Sequence, residues 1–310
     1  MKYFIKSLVL VTTVMLLSCN QEKKKEVAPS EQTIEVIHAL DTTNVVLKPE
    51  RVVVFDMGTL ETLNELDIKI TGMPKDYVPE HLSKFGKDES IINVGSVKEP
   101  NLEKVNALNP DLIVISARLE KYYDELSKIA PTIYLQVDAK DYLNSFEQNT
   151  LTLGKIFGKE KEAGEKVEAI KNKIMKDLPT IEKDQKKALV LLYNNGKFSA
   201  YGRNSRFGFI HDVMKVKPVS ESLEIATHGQ PVSNEFIEHE NPDYIFIVDR
   251  SSMVNNLKTN KNDIENALIK RTNAYKNNKI IYLDPQIWYL SGGGITSTNK
   301  MIEDIKKAVL

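Results

Sequence analysis

One buried-strand signal occurs twice in this chain, and the repeat constrains the architecture more than any other feature. Asn109-Pro110-Asp111-Leu112-Ile113-Val114-Ile115-Ser116-Ala117-Arg118 and Asn241-Pro242-Asp243-Tyr244-Ile245-Phe246-Ile247-Val248-Asp249-Arg250 lie 132 positions apart. Each opens on a turn signal, runs through bulky β-branched and aromatic residues, and closes on an arginine, as a strand buried on both faces does. A helical pattern precedes each copy, Asn101 to Leu108 and Ser233 to Glu240, with Glu103 and Glu235 at equivalent places. The repeat predicts two related α/β lobes, each a parallel sheet of Rossmann-like type. Open parallel sheets bind ligands beyond the carboxyl ends of their strands, so Arg118 and Arg250 are expected to face one cleft.

The segments around the repeat fit this plan. A hairpin over Thr33 to Leu47, a strand over Arg51 to Asp56, a helix over Thr59 to Leu66 and a strand over Ile68 to Met73 precede the first copy. Apolar spacing predicts a helix over Tyr142 to Phe157 that stops at Gly158. The charged pattern that follows carries only the narrow stripe Ala163, Val167, Ile170, Ile174 and Leu178, which suits a connector between lobes. Beyond it come the strand Lys187 to Tyr193, the turn Asn194-Asn195-Gly196, a strand over Phe198 to Tyr201, a helix over Arg206 to Val213 and a final amphipathic helix over Ser297 to Val309. The expected organisation is a leader over 1–18, a flexible tether over 19–32, a first lobe over 33–158, a single connecting helix over 159–183 and a second lobe over 184–310.

The leader sets the compartment. Lys2 and Lys6 flank a short basic region, Leu8 to Leu17 is apolar but too short to span a bilayer, and Leu16-Leu17-Ser18-Cys19 follows. Cys19 is the only cysteine, which leaves no disulfide or thiolate metal site within the chain. The formal charge of −1 excludes a generally basic surface, so any affinity for anions has to be local to a cleft, and nucleic acid is not an expected partner.

Few residues could carry chemistry. The five histidines, His38, His81, His211, His228 and His239, show no metal-site spacing, although His228 lies in the polar loop Ala226-Thr227-His228-Gly229-Gln230 before the second repeat copy. Trp288 and Tyr289 follow the strand that ends in Asp284-Pro285, again at a carboxyl end. Arg206, in Ser205-Arg206-Phe207-Gly208, reads as the start of a helix, where the macrodipole disfavours a cation and an anionic partner is wanted. No nucleophile elbow or phosphate loop is present, and Ser291-Gly292-Gly293-Gly294 lacks the lysine that a phosphate site needs.

Taken together, these features closely resemble the periplasmic binding proteins for ferric catecholate siderophores, of the enterochelin-uptake lipoprotein type. The residues that carry the resemblance are the leader ending at Cys19, Ser205-Arg206-Phe207-Gly208, Thr227-His228-Gly229, Asn241 to Arg250, and Asp284-Pro285 followed by Trp288-Tyr289-Leu290. The resemblance implies that Cys19 is lipidated and holds the protein at a membrane of the cell envelope. It implies that Arg118, Arg206 and Arg250 contact catecholate oxygens, with Trp288 beside them, and that His228 and Tyr289 ligate iron when the siderophore offers four donors. It further implies docking of Glu103 and Glu235 on the permease of an ABC importer with its ATPase. The expected protein is a monomer without catalytic activity or intrinsic cofactor, whose ligand is an Fe(III)-catecholate. The glycine-rich loop after Tyr289 departs from the family pattern. Two other readings stand beside this one: a haem or corrinoid binder on the same scaffold, with His228 and Tyr289 as axial ligands, and an exported hydrolase, against which the absent nucleophile motif speaks.

Overall fold

Two sheets form from the apolar runs in the computed structural model, which describes residues 32–226, 228–255 and 258–310. The leader, Cys19 and the tether as far as Glu31 lie outside the described residues, as does Thr227. A hairpin of β1 (Thr33–Ile37) and β2 (Thr42–Val46) leads into the first sheet, made of β3 (Val52–Val54), β4 (Gly72–Met73), β5 (Ile92–Asn93), β6 (Leu112–Ile115) and β7 (Thr132–Tyr134). Its order is β5-β4-β3-β6-β7, and every pair is parallel.

The second sheet holds β8 (Lys187–Asn194), β9 (Lys197–Tyr201), β10 (Lys217–Pro218), β11 (Gln230–Val232), β12 (Tyr244–Asp249) and β13 (Ile280–Leu283). Its order is β11-β9-β8-β12-β13, with β10 beside the start of β8. This sheet is mixed. Asn195 and Gly196 both take positive φ, 49° and 84°, the two-residue turn whose twist suits a hairpin, and β9 therefore returns antiparallel to β8.

The repeat is built by the same local devices in both lobes. The helices α1 (Met57–Glu65) and α2 (Leu102–Ala107) belong to the first sheet, and α2 is capped by Asn101, which accepts from the Lys104 amide. Its counterpart before β12 is Asn234–Glu240, capped by Ser233 on the Phe236 amide. Asn109 (φ 44°) and Asn241 (φ 43°) end the two helices in the left-handed region that asparagine tolerates. The carboxylates of Asp111 and Asp243 then accept from the Arg51 and Lys187 amides at 2.8 and 3.0 Å, fixing each repeat strand beside its central neighbour. All residues of β6 and β12 are buried.

Among the described residues, two junctions that involve helices link the lobes. α3 (Tyr142–Phe157) stops at Gly158, whose φ of 67° turns the chain into α4 (Glu160–Ile181). Ala163 of α4 packs in the core of the first sheet, whereas Val167, Ile170 and Ile174 pack in that of the second, each of these three larger side chains contributing about 1.5–3 kcal/mol by its burial. The other junction was not legible in the sequence. With Asn234–Glu240 taken as α5, the last helix is α6 (Ile295–Val309), and its N-terminus sits against α1. A Cβ on Gly58 would lie 2.6 Å from the Ser291 carbonyl, and one on Gly294 would collide with the Gly58 carbonyl. The glycine-rich loop thus serves a close backbone approach. Glu61, fully buried, accepts from the Ser297 amide at 2.7 Å and meets His81 Nε2 at 2.5 Å. Glu65 joins Thr296 and Lys166. Carboxylates at a helix N-terminus are favourable, and here the other lobe supplies them.

One local expectation is corrected. The helix expected from Arg206 covers only Phe209–Asp212, and Ser205 to Gly208 form a turn. Asn204 is left-handed (φ 55°), and its amide is taken by Asp212 Oδ2 at 2.6 Å, which holds the turn open. Arg206 therefore stands in the turn before the helix and not at its first position.

Candidate ligand-binding site

Three guanidinium groups from both lobes meet on one tyrosine. Arg118 sits in the 3₁₀ turn Ala117–Tyr122 just past β6, and Arg250 begins the short helix Arg250–Val254 just past β12. Arg206 comes from the turn after β9, and Tyr289 from a π-helical turn, Gln286–Ser291, after β13. Arg118 Nη2 and Arg206 Nη2 donate to the Tyr289 main-chain carbonyl at 2.8 and 2.7 Å. Arg250 Nε donates to the Tyr289 phenol oxygen at 3.1 Å, and its Nη1 donates to Asn194 Oδ1 at 3.0 Å. The Arg206 guanidinium also lies 3.9 Å from the centre of the Tyr289 ring, within cation–π range.

The acceptors in this cluster are neutral. Among the described residues none of the three arginines pairs with a carboxylate, whereas Arg51, Arg203 and Arg271 pair with Asp111, Asp212 and Glu221, and Glu238. The cluster therefore keeps its positive charge, and the phenol registers it. Burial alone would push the Tyr289 hydroxyl up, but Arg206, Arg250 and Arg118 outweigh burial and hold it below its ordinary value of 10.0. Tyr201, buried nearby, goes the other way, pushed up to about 12 by burial. A site of this kind binds anions through directional, permanently charged donors, with an ionisable phenol oxygen at its centre.

Not all expected residues share the opening. Trp288 is corrected: it is 4% exposed, packs edge-to-face on Phe209 at 6.1 Å, and donates its indole N–H to Asp304 at 2.9 Å. Consecutive residues of a helical turn point in different directions, so Tyr289 faces the arginines while Trp288 fills the core of the second sheet. His228 is exposed on the loop before β11. That loop is anchored by Gly229 (φ 72°), which packs so closely on the Tyr201 ring that a Cβ would lie 2.6 Å from it. His228 shares no hydrogen bond or ring contact with Tyr289 among the described residues. Glu103 and Glu235 are both exposed, in the first turns of α2 and α5, at the strand-carboxyl side of their sheets. Backbone N–H groups and the Ser233 hydroxyl hold the Glu235 carboxyl below its usual range.

Sequence reasoning missed Asn194, which it read only as the start of a turn, and the Glu61–His81 pair, whose members are remote in the chain. No sequence signal marks the second, while the first was legible only once β8 and β12 were known to be neighbours.

Residues 52–287 match the family model described as periplasmic binding protein. The petrobactin-binding protein YclQ of Bacillus subtilis strain 168 is 44% identical over 98% of this chain and 98% of its own length. The ferric-anguibactin-binding protein FatB of Vibrio anguillarum is 35% identical, over 97% of this chain and 96% of its own. Among solved structures, the periplasmic catecholate-siderophore binding protein VctP from Vibrio cholerae superposes with a TM-score of 0.85 at 34% identity, covering 89% of this chain and all (100%) of that one. With the match running through both sheets and the connecting helix, this chain belongs to the periplasmic binding protein family.

Proposed function

We propose that this chain is the substrate-binding component of an ABC importer that captures ferric siderophores with catecholate donors. The observation that carries the reading is the cluster of Arg118, Arg206 and Arg250 on Tyr289, cationic and free of carboxylates among the described residues. Iron(III) is a hard ion satisfied by anionic oxygens, and catecholates bring more negative charge than the metal cancels, so the complex is a compact anion. Guanidinium forks suit its oxygens in geometry and charge. The names of the relatives, a petrobactin binder, a ferric-anguibactin binder and a catecholate-siderophore binder, support the same class of ligand rather than haem or a corrinoid.

Within this reading Tyr289 supplies a phenolate to iron, aided by the arginines that lower its proton affinity. His228, on its exposed loop, supplies an imidazole when the siderophore offers only four donors. Cys19 carries the lipid anchor, and Glu103 and Glu235, one on each lobe, dock on the permease. Charge reversal at both glutamates is expected to abolish uptake through the cognate importer while leaving ligand affinity intact; uptake at the parental rate would contradict the docking role.

Titration with a ferric tetradentate catecholate, followed by its visible charge-transfer absorbance, tests the binding role. The parent is expected to bind at micromolar protein or below. Equal binding by the Arg118→Ala/Arg206→Ala/Arg250→Ala variant would overturn the assignment. Trp288, packed in the core, is a poor reporter for this experiment.

A further inference from the structure

We infer that Asn194 is a positioning residue for the ligand site, its neutral amide oxygen orienting the Arg250 guanidinium without cancelling the charge. The inference rests on the anion-receptor reading above. Asn194 ends β8, and the pairing of Tyr193 with Asp249 sets it level with Arg250, the first residue past the neighbouring strand. Its Oδ1 accepts from Arg250 Nη1 at 3.0 Å while Arg250 Nε donates to the Tyr289 phenol at 3.1 Å. A guanidinium is planar and rigid, so two fixed acceptors define its plane and leave its remaining N–H groups for a ligand.

The backbone at this position is itself held. Asn195 and Gly196 form the hairpin turn, and the Asn195 amide donates to Ser251 Oγ at 3.1 Å, tying the turn to the helix that Arg250 begins. The nearest carboxylate in the sequence, Asp249, is already engaged: its Oδ1 accepts from the Ser251 hydroxyl at 2.8 Å and the Ser252 amide at 3.1 Å as a helix cap. Asn194 thus joins the Tyr289 phenol as an acceptor for Arg250, and it is an amide where an aspartate of the same shape would form an ion pair.

Asn194→Asp keeps the shape and the acceptor but adds a negative charge. A ferric tetradentate catecholate is expected to bind this variant at least about tenfold more weakly than the parent at low salt, with the gap narrowing as ionic strength rises. Asn194→Ala, which removes the acceptor and adds no charge, is expected to lose about threefold with the parental salt dependence. A merely structural role would lower the melting temperature without separating the two variants by salt. Parental affinity in both variants, or an Asn194→Asp deficit that does not respond to salt, overturns the inference. Should the aspartate variant fail to fold, parental affinity in Asn194→Ala overturns it alone. A parent that binds no ferric catecholate overturns the functional reading and this inference with it, an outcome distinct from the others.

Discussion

Six arginines occur in the chain, and two regions of the molecule treat them in opposite ways. On the outer surfaces Arg51, Arg203 and Arg271 are neutralised by carboxylates and serve the scaffold: Arg51 also holds the Asn109 carbonyl of the repeat turn, and Arg203 the His211 carbonyl. Over the opening Arg118, Arg206 and Arg250 meet a main-chain carbonyl, an amide and a phenol instead. The first arrangement spends the charge on folding. The second leaves it uncancelled among the described residues, as the proposed ligand site requires. Clustering like charges without counterions opposes folding, so such a cluster is a mark of binding rather than of stability.

The sharpest way to break this comparison is to remove each set in turn. Alanine at all three cleft positions is expected to weaken binding of a ferric catecholate by about a thousandfold or more, since hydrogen bonds to charged groups contribute about 1.5–3 kcal/mol each. The melting temperature should hold or rise, because mutual repulsion is relieved. Alanine at Arg51 or Arg271 should do the reverse, leaving affinity unchanged and costing about 0.2–1 kcal/mol, as exposed ion pairs do. Affinity loss in the scaffold set equal to that in the cleft set, seen by calorimetry, would erase the distinction.

The junction between lobes sharpens it from the structural side. Glu61→Ala leaves the Ser297 amide and His81 without their buried partner and is expected to cost about 3 kcal/mol, read by denaturant unfolding. Binding measured well below the transition should be intact if the site and the junction are separate.

A smaller effect concerns the two tyrosines near the opening. Following phenolate absorbance against pH, the Tyr289→Phe variant should lack an early-titrating phenol that the parent shows, whereas Tyr201→Phe should remove a late one. The opposite order would mean that the arginines do not govern Tyr289.

Smallest is the acid response of the second lobe. His211 is buried, its Nδ1 donates to the Val216 carbonyl, and its Nε2 has no partner among the described residues, so burial holds its proton affinity below the ordinary value of 6.5. The unfolded chain takes up that proton near 6.5 while the folded one resists. Stability is therefore full above pH 6.5 and declines as the pH falls below it. His211→Gln should flatten this limb in thermal melts; an unchanged limb would assign it to other groups.

How much of the fold and of the site is legible in the sequence depends on the range of the interactions involved. The repeat was readable because its devices are local: a cap at Asn101 or Ser233, a left-handed asparagine, an aspartate clamp and a run of β-branched residues. Tyr142–Phe157 was readable for the same reason, with Gly158 marking its end. The meeting of Arg118 and Arg250 followed from topology, since strand ends of parallel sheets collect at one side, whereas Arg206, which follows the antiparallel β9, came with the family resemblance. What failed was direction and distance. Trp288 and Tyr289 are adjacent in the chain, yet only packing against Phe209 and Asp304 decides which one faces inward. The run Arg206 to Val213 reads as helical, and the bond from the Asn204 amide to Asp212 that accompanies the turn is not a pattern a periodicity can show. The Gly58–Gly294 approach and the Glu61–Ser297 bond join residues from different lobes, the Glu61–His81 pair joins separate elements of the first lobe, and none of them leaves a periodic trace.

The most direct test of the central claim is a crystal structure of the protein with a ferric tetradentate catecholate. Catecholate oxygens are expected within hydrogen-bonding distance of Arg118, Arg206 and Arg250, with the Tyr289 phenolate turned to the iron. A ligand seated elsewhere, with the three guanidinium groups still resting on the Tyr289 carbonyl and phenol, would contradict it.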